Sequence, residues 1–175
     1  VEQVFAVSNT AFLVRSDLFK ALGGFDEAMG MFGEDLDFCW RAQIAGGTIM
    51  IVPGAVARHR DESGEYQTNP KRSRLMERHR LRSILSNYGK VKVLPMLLLN
   101  LLISTVKGIL GLLRGRLSNL LILADSFIWN LLNTKSLIQK RKRISELRRV
   151  KDSEVTALKI NPSHTQRAFP SLNID

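Results

Sequence analysis

Residues 23–41, GGFDEAMGMFGEDLDFCWR, hold five carboxylates within nineteen positions. Asp26 and Glu27 fall in the first half. Glu34, Asp35 and Asp37 crowd the second, just ahead of Phe38, Cys39 and Trp40. A carboxylate at the mouth of a helix can take a proton from a hydroxyl or hold a cation, and the helix dipole favours its charged form there. Asp35 and Asp37 are two residues apart, so at a helix start they point in different directions and need not share one ligand. The competing role for the acids of the second half is helix capping with solvation, and Asp26 and Glu27 read as loop acids. Arg41 lies four residues after Asp37, which suits an ion pair on one helix face or a contact to a phosphate. Trp40 can stack on a sugar face or pack in a core, and Cys39, inside an apolar run, reads as core. His59, between Arg58 and Arg60, is a candidate metal or phosphate ligand or a surface residue.

These residues need a frame. Residues 4–14 alternate loosely and are rich in β-branched and aromatic side chains, predicting one or two short strands. Ser16 and Asp17 can cap a short helix over 18–22, stopped by Gly23-Gly24. Gly33 allows the turn into a helix over about 34–45, on which Leu36, Trp40 and Ile44 share a face. Gly46-Gly47 ends it. Residues 48–52, TIMIV, predict a buried strand closed by Pro53-Gly54, and residues 55–60 another. The polar stretch 60–74 reads as a loop over the site.

The second half changes character. Residues 74–88 predict an amphipathic helix with Leu81, Ile84, Leu85 and Tyr88 in one stripe and arginines around it. Residues 93–113 carry one charge, Lys107, and are long enough to cross a hydrocarbon core of about 30 Å. A second apolar run, 117–132, contains Asp125 and is marginal for crossing. Basic clusters flank both runs, so the charge asymmetry gives no orientation and a hairpin lying in the membrane plane satisfies all of them. The alternative is a pair of buried helices in a soluble domain. Residues 140–151, KRKRISELRRVK, predict a helix along an anionic lipid face, and from Asp152 a weakly ordered tail.

The net charge of +10, from 26 basic against 16 acidic side chains, suits an anionic partner. Nucleic acid is disfavoured, because the arginine-rich helix lacks interleaved aromatics and leads into an apolar run. One cysteine forms no internal disulfide, in keeping with a cytosolic or membrane-face setting. There is no glycine-rich phosphate loop, CxxC or HExxH. The chain starts on Val1 directly in an apolar stretch and reads as a piece of a longer protein.

With GGFDE, then GEDLDFCWR, then an aliphatic strand with VPGAV and a histidine, residues 11–59 resemble the second half of a family 2 glycosyltransferase domain of the inverting GT-A type. The C-terminal part is similar to bacterial members that build cell-wall or surface polysaccharides, rhamnosyl- and galactofuranosyltransferase-like enzymes among them. The resemblance implies an α/β fold: the C-terminal portion of a Rossmann-like GT-A domain over 1–73, followed by membrane-associated helices. These would be a basic amphipathic helix over 74–90, a hydrophobic hairpin over 91–133 and a basic juxtamembrane helix over 134–160, with a tail over 161–175. It implies Asp35 as general base toward an acceptor hydroxyl, with Glu34 and Asp37 shaping the acceptor site. Trp40 and Arg41 match an aromatic–basic pair behind it, and His59 a contact to the metal or diphosphate. The implied partners are a nucleotide-sugar donor, a glycan or lipid-linked acceptor, Mn²⁺ or Mg²⁺, and the cell membrane, with the catalytic part on its cytoplasmic side. The resemblance places the nucleotide-binding half with its Asp-x-Asp motif upstream, so this portion alone is expected to be inactive. One departure is visible: relatives carry Arg-Asn in the later helix, whereas here Arg78 precedes His79. The rival reading is a non-catalytic, membrane-bound scaffold on a degenerate transferase fold.

Overall fold

The computed structural model describes residues 1–58, 70–115 and 117–159. In chain order the elements are β1 (Glu2–Gln3), α1 (Ser16–Leu22), α2 (Glu34–Ile44), β2 (Met50–Ile51), α3 (Pro70–Asn87), α4 (Lys90–Leu113), α5 (Ser118–Leu132), α6 (Thr134–Leu147) and α7 (Asp152–Lys159). They fall into two compact units. The described part of the first is 1–27, 34–58 and 143–159; that of the second is 28–33, 70–115 and 117–142.

The first unit is built on α2. Leu22, Phe38 and Ala42 form its centre, and Phe12, Val14, Leu18, Phe19, Phe25, Ile49 and Leu147 pack around them. Four phenylalanines, 12, 19, 25 and 38, meet edge-on or tilted at centroid distances of 5.4–6.0 Å, a geometry that aligns ring edges with ring faces. Helix α1 stops at Gly23, whose φ of 81° is left-handed, as expected from Gly23-Gly24. Its last carbonyls are then occupied: Gly23 N–H donates to Lys20, Gly24 N–H to Phe19, and the Arg143 guanidinium to both Ala21 and Lys20. Helix α2 ends in the same way, with the Arg149 and Val150 N–H groups donating to the Ile44 carbonyl.

The α/β expectation is met only in part: the described residues are mostly helical and carry two strands of two residues each, paired antiparallel with Glu2 opposite Ile51 and Gln3 opposite Met50, which is not clearly a Rossmann-like sheet. Val4, Phe5 and Ala6 are buried as expected of a strand, but their backbone runs outside any ladder apart from the bond from Val4 N–H to the Ile49 carbonyl. Apolar alternation marks which side chains go inside; a strand also needs a neighbour to bond, and so short a pair supplies none beyond itself. The predicted strand at 48–52 shrinks to β2, with Met50 exposed, and residues 55–58 are exposed and irregular. Leu36, expected on the buried face of α2, is 39% exposed. The stretch after Asp152 begins as a helix, α7, held at its start by the Arg148–Asp152 ion pair at 2.7 Å.

The second unit inverts the usual pattern. On α4 the buried residues are Asn100, Ser104, Gly108 and Gly111, at helical spacing, while Leu94, Leu98, Leu102, Val106, Ile109 and Leu113 are exposed. Helix α5 buries Ser126 and Asn130 and exposes Leu121, Ile128 and Leu131. A Cβ on Gly108 would meet Leu120 Cδ2 at 2.3 Å, so the glycine allows α4 and α5 to approach closely. Helix α3 and the residue after it supply the rest of the interior: Leu81 and Tyr88, but also His79, Arg82, Ser83, Ser86 and Asn87. Asp125, the acid of the apolar α5, turns inward onto Arg78, which grips it through two bonds of 2.6 and 2.7 Å. Arg141, expected along a lipid face, instead donates to the carbonyls of Leu85 and Tyr88 at the end of α3. Helix α4, 24 residues long, is the one helix among the described residues that is long and apolar enough to cross a membrane.

Candidate active site

The start of α2 sorts the three acids into different environments. Glu34 and Asp35 are half-buried on its first turn, and both engage Asn9. Asn9 Nδ2 donates to Glu34 Oε1 at 2.8 Å, and the Asn9 backbone N–H reaches Asp35 Oδ2 at 3.4 Å. Asp35 Oδ1 accepts the Leu36 N–H at 2.7 Å, using one of the donors that a helix start leaves unpaired. Glu34 Oε2 is buried with no hydrogen-bond partner. A carboxylate pair of this kind has acceptor capacity left for a hydroxyl, and the α2 dipole supports its negative charge.

Asp37 faces the other way, as the two-residue offset predicts. It is 0% exposed and accepts Arg41 Nε at 2.7 Å, the i,i+4 pair expected from the sequence. Arg41 then donates to the carbonyls of Leu22 and Gly24 at 3.0 and 2.9 Å. Asp37 and Arg41 thus tie α2 to the turn after α1, a fold-bearing arrangement inside the protein. Trp40 is buried as well, in an edge-type contact with Phe5 at 6.1 Å between ring centroids. Cys39 is buried beside the Val7 carbonyl, and burial pushes its thiol up to about 11, which keeps it a neutral packing group. His59 lies outside the described residues.

The residue that sequence reasoning missed is Asn9. Its signal was the polar break Ser8-Asn9-Thr10 within an otherwise apolar stretch, which a strand reading passes over. In the second unit His79 is also more than a departure from a pattern. It is buried, and its Nδ1 donates to the Phe32 carbonyl at 2.6 Å. Phe32 has a left-handed φ of 70°, uncommon for a bulky side chain, and the Arg72 guanidinium sits 5.6 Å from its ring centre. That turn therefore depends on bonds from α3 as well as on Gly30 and Gly33. Among the described residues no three His, Cys, Asp or Glu side chains come together as a metal site.

A 53-residue stretch of the chain is 42% identical to the pre-mycofactocin glycosyltransferase of Mycobacterium tuberculosis, in two strains. This stretch is glycosyltransferase-like. The match covers 30% of the chain and 11% of the relative's length, so the chain spans only a small part of the curated relatives it matches. No family model matches the chain, and no solved structure does.

Proposed function

We propose that this chain is the acceptor-side part of an inverting, family 2, GT-A-type glycosyltransferase that works at a bacterial membrane in cell-wall or surface polysaccharide synthesis. The observation that carries the reading is the division of labour at α2. Asp37 is consumed by Arg41 inside the core, whereas Glu34 and Asp35 stand half-buried at the helix mouth, Glu34 with Oε2 unpartnered and Asp35 with lone-pair capacity beyond the one N–H that each of its oxygens accepts. In this mechanism Asp35 accepts the proton of an acceptor hydroxyl as that oxygen attacks the anomeric carbon of a nucleotide sugar. The bond to the diphosphate breaks on the opposite face, and the configuration inverts. Asn9 and Glu34 hold Asp35 and its surroundings in place. A divalent cation belongs to the same proposal, but the described residues do not make up a site for it.

The membrane setting is supported by the outward leucines of α4 and α5 over a polar interior, and by Asp125 turning inward to an arginine as an ionisable group in an apolar helix must. The catalytic part is assigned to the cytoplasmic side, where nucleotide sugars are made.

The test uses the protein in its native membranes with Mn²⁺ or Mg²⁺, a panel of nucleotide sugars, and glycan or lipid-linked acceptors. Acceptor-dependent nucleoside diphosphate release is expected to fall about a hundredfold or more in Asp35→Asn at unchanged protein level. Equal release from the variant removes Asp35 from the mechanism. No release from any donor and acceptor favours a scaffold.

A further inference from the structure

Within the second unit a cavity of about 390 Å³ opens among α3, α4 and α5, lined by Ser73, Glu77, Ser104, Lys107, Arg114 and Asn119 along with apolar side chains of α4 and α5. Its size falls in the range of small-ligand sites. Its charges are unevenly satisfied. Glu77 is held by Arg80 at 2.5 Å, and it also accepts the Ser104 hydroxyl at 2.8 Å, so its charge is answered inside the wall. Lys107 on α4 and Arg114, the residue just past its C-terminus, both line the cavity and have no carboxylate partner among the described residues. The cavity thus has polar hydroxyl and amide donors, two uncompensated cations and an apolar side that runs out onto exposed leucines.

We propose that this cavity binds the phosphate head of a membrane amphiphile, with Lys107 and Arg114 on the phosphate and the hydrocarbon chain along the outer face of α4. A cation on an otherwise apolar helix is costly in lipid unless an anion or the interface answers it. Arginine suits the planar, two-bonded recognition of a phosphate, and lysine adds a mobile point charge. The inference rests on the membrane placement proposed above and is independent of the transfer reaction.

The full chain in neutral-detergent micelles is examined by native mass spectrometry with phosphatidic acid, phosphatidylcholine and inorganic phosphate as probes. Phosphatidic acid is expected to be retained and phosphatidylcholine lost, and a hundredfold excess of inorganic phosphate should leave the retained lipid in place. Displacement by inorganic phosphate would overturn the amphiphile and leave a site for free phosphate. The pair Lys107→Gln/Arg114→Gln should lower retention tenfold or more, whereas Lys90→Gln/Lys92→Gln, the same charge loss at the other end of α4, should not. Equal loss in both pairs would reduce the effect to general surface charge and sink the site. Both cavity cations are exposed, so folding should survive, with helicity checked in the same micelles. The swap Lys107→Arg/Arg114→Lys should keep the lipid, and failure of that swap at normal helicity counts against phosphate recognition. Protein that stays membrane-bound yet shows no lipid preference refutes the cavity without touching the membrane placement.

Discussion

The two units solve the problem of a core in opposite ways. The first buries phenylalanines and aliphatics, and Asp37 with Arg41 is the charged exception among its described buried residues. The second keeps Asn100, Ser104, Ser126 and Asn130 inside and turns most leucines of α4 and α5 out. Water drives apolar side chains together only where water is the alternative. The first unit has the arrangement expected of a domain in water. On the membrane placement proposed above, the second is an arrangement of helices whose outer solvent is as apolar as leucine, so that packing of small residues and internal hydrogen bonds hold it together. The difference shows that hydrophobicity alone does not identify a core; the direction in which it faces does.

The largest expected effect strikes the buried exception in the first unit. Arg41→Leu removes the guanidinium from a fully buried Asp37 and from two backbone carbonyls. Loss of one partner of such a pair costs about 3–5 kcal/mol. Urea unfolding in micelles, followed through Trp40 in a Trp129→Phe background, should show it, because each unit holds one of the two tryptophans. The double variant Asp37→Leu/Arg41→Leu should recover part of the loss, since no stranded charge remains. A single-variant loss below about 1 kcal/mol would place the pair among surface bridges and break the contrast.

The middle-sized effect tests the outward leucines. Leu102, near the middle of α4, is exposed, as is Leu13 in the first unit. Lys at the centre of a spanning helix costs about 3 kcal/mol. Leu102→Lys should therefore shift the protein toward release on alkaline carbonate extraction of membranes, and Leu13→Lys should not. If both variants partition like the wild type, the outer face of α4 does not meet lipid.

Much of this arrangement was legible in the sequence, and what was not has a common cause. The helices α1 to α5 follow from periodicity and glycine stops, and the Asp37–Arg41 pair from its spacing. The strands did not follow, because alternation at 4–14 reports burial of Val4, Phe5 and Ala6 without reporting a bonding neighbour. At the site, Glu34 and Asp35 could be placed at a helix mouth, but Asn9 is 25 and 26 residues away in sequence and no local pattern ties it to them. The basic run at 140–151 held bonds that were hidden for a similar reason. Charge composition suggests lipid, whereas Arg141 and Arg143 end on helix-terminal carbonyls, acceptors that composition cannot show.

The smallest effect concerns Cys39, the group that ties the first unit's core to the back of the candidate site. Burial raises its thiol from 9.0 to about 11, with the Asp35 charge adding to the rise. The folded state therefore holds its proton more tightly than the unfolded chain. Below about pH 9 both states are protonated and the thiol's contribution is fully present; between 9.0 and about 11 the unfolded chain loses its proton first, so stability drains away as pH rises through that window. Lysines and tyrosines titrate there too, so the quantity to follow is the difference in urea midpoint between wild type and Cys39→Ala. That difference should narrow or reverse against the wild type as pH climbs from 8.5 to 10.5, and iodoacetamide at pH 8 should label Cys39 rapidly only after unfolding. Rapid labelling of the folded protein would mean that the thiol meets solvent. The α2 face behind Asp35 would then be open, and the first unit's claim to a dry core would fail at the helix that carries its carboxylates.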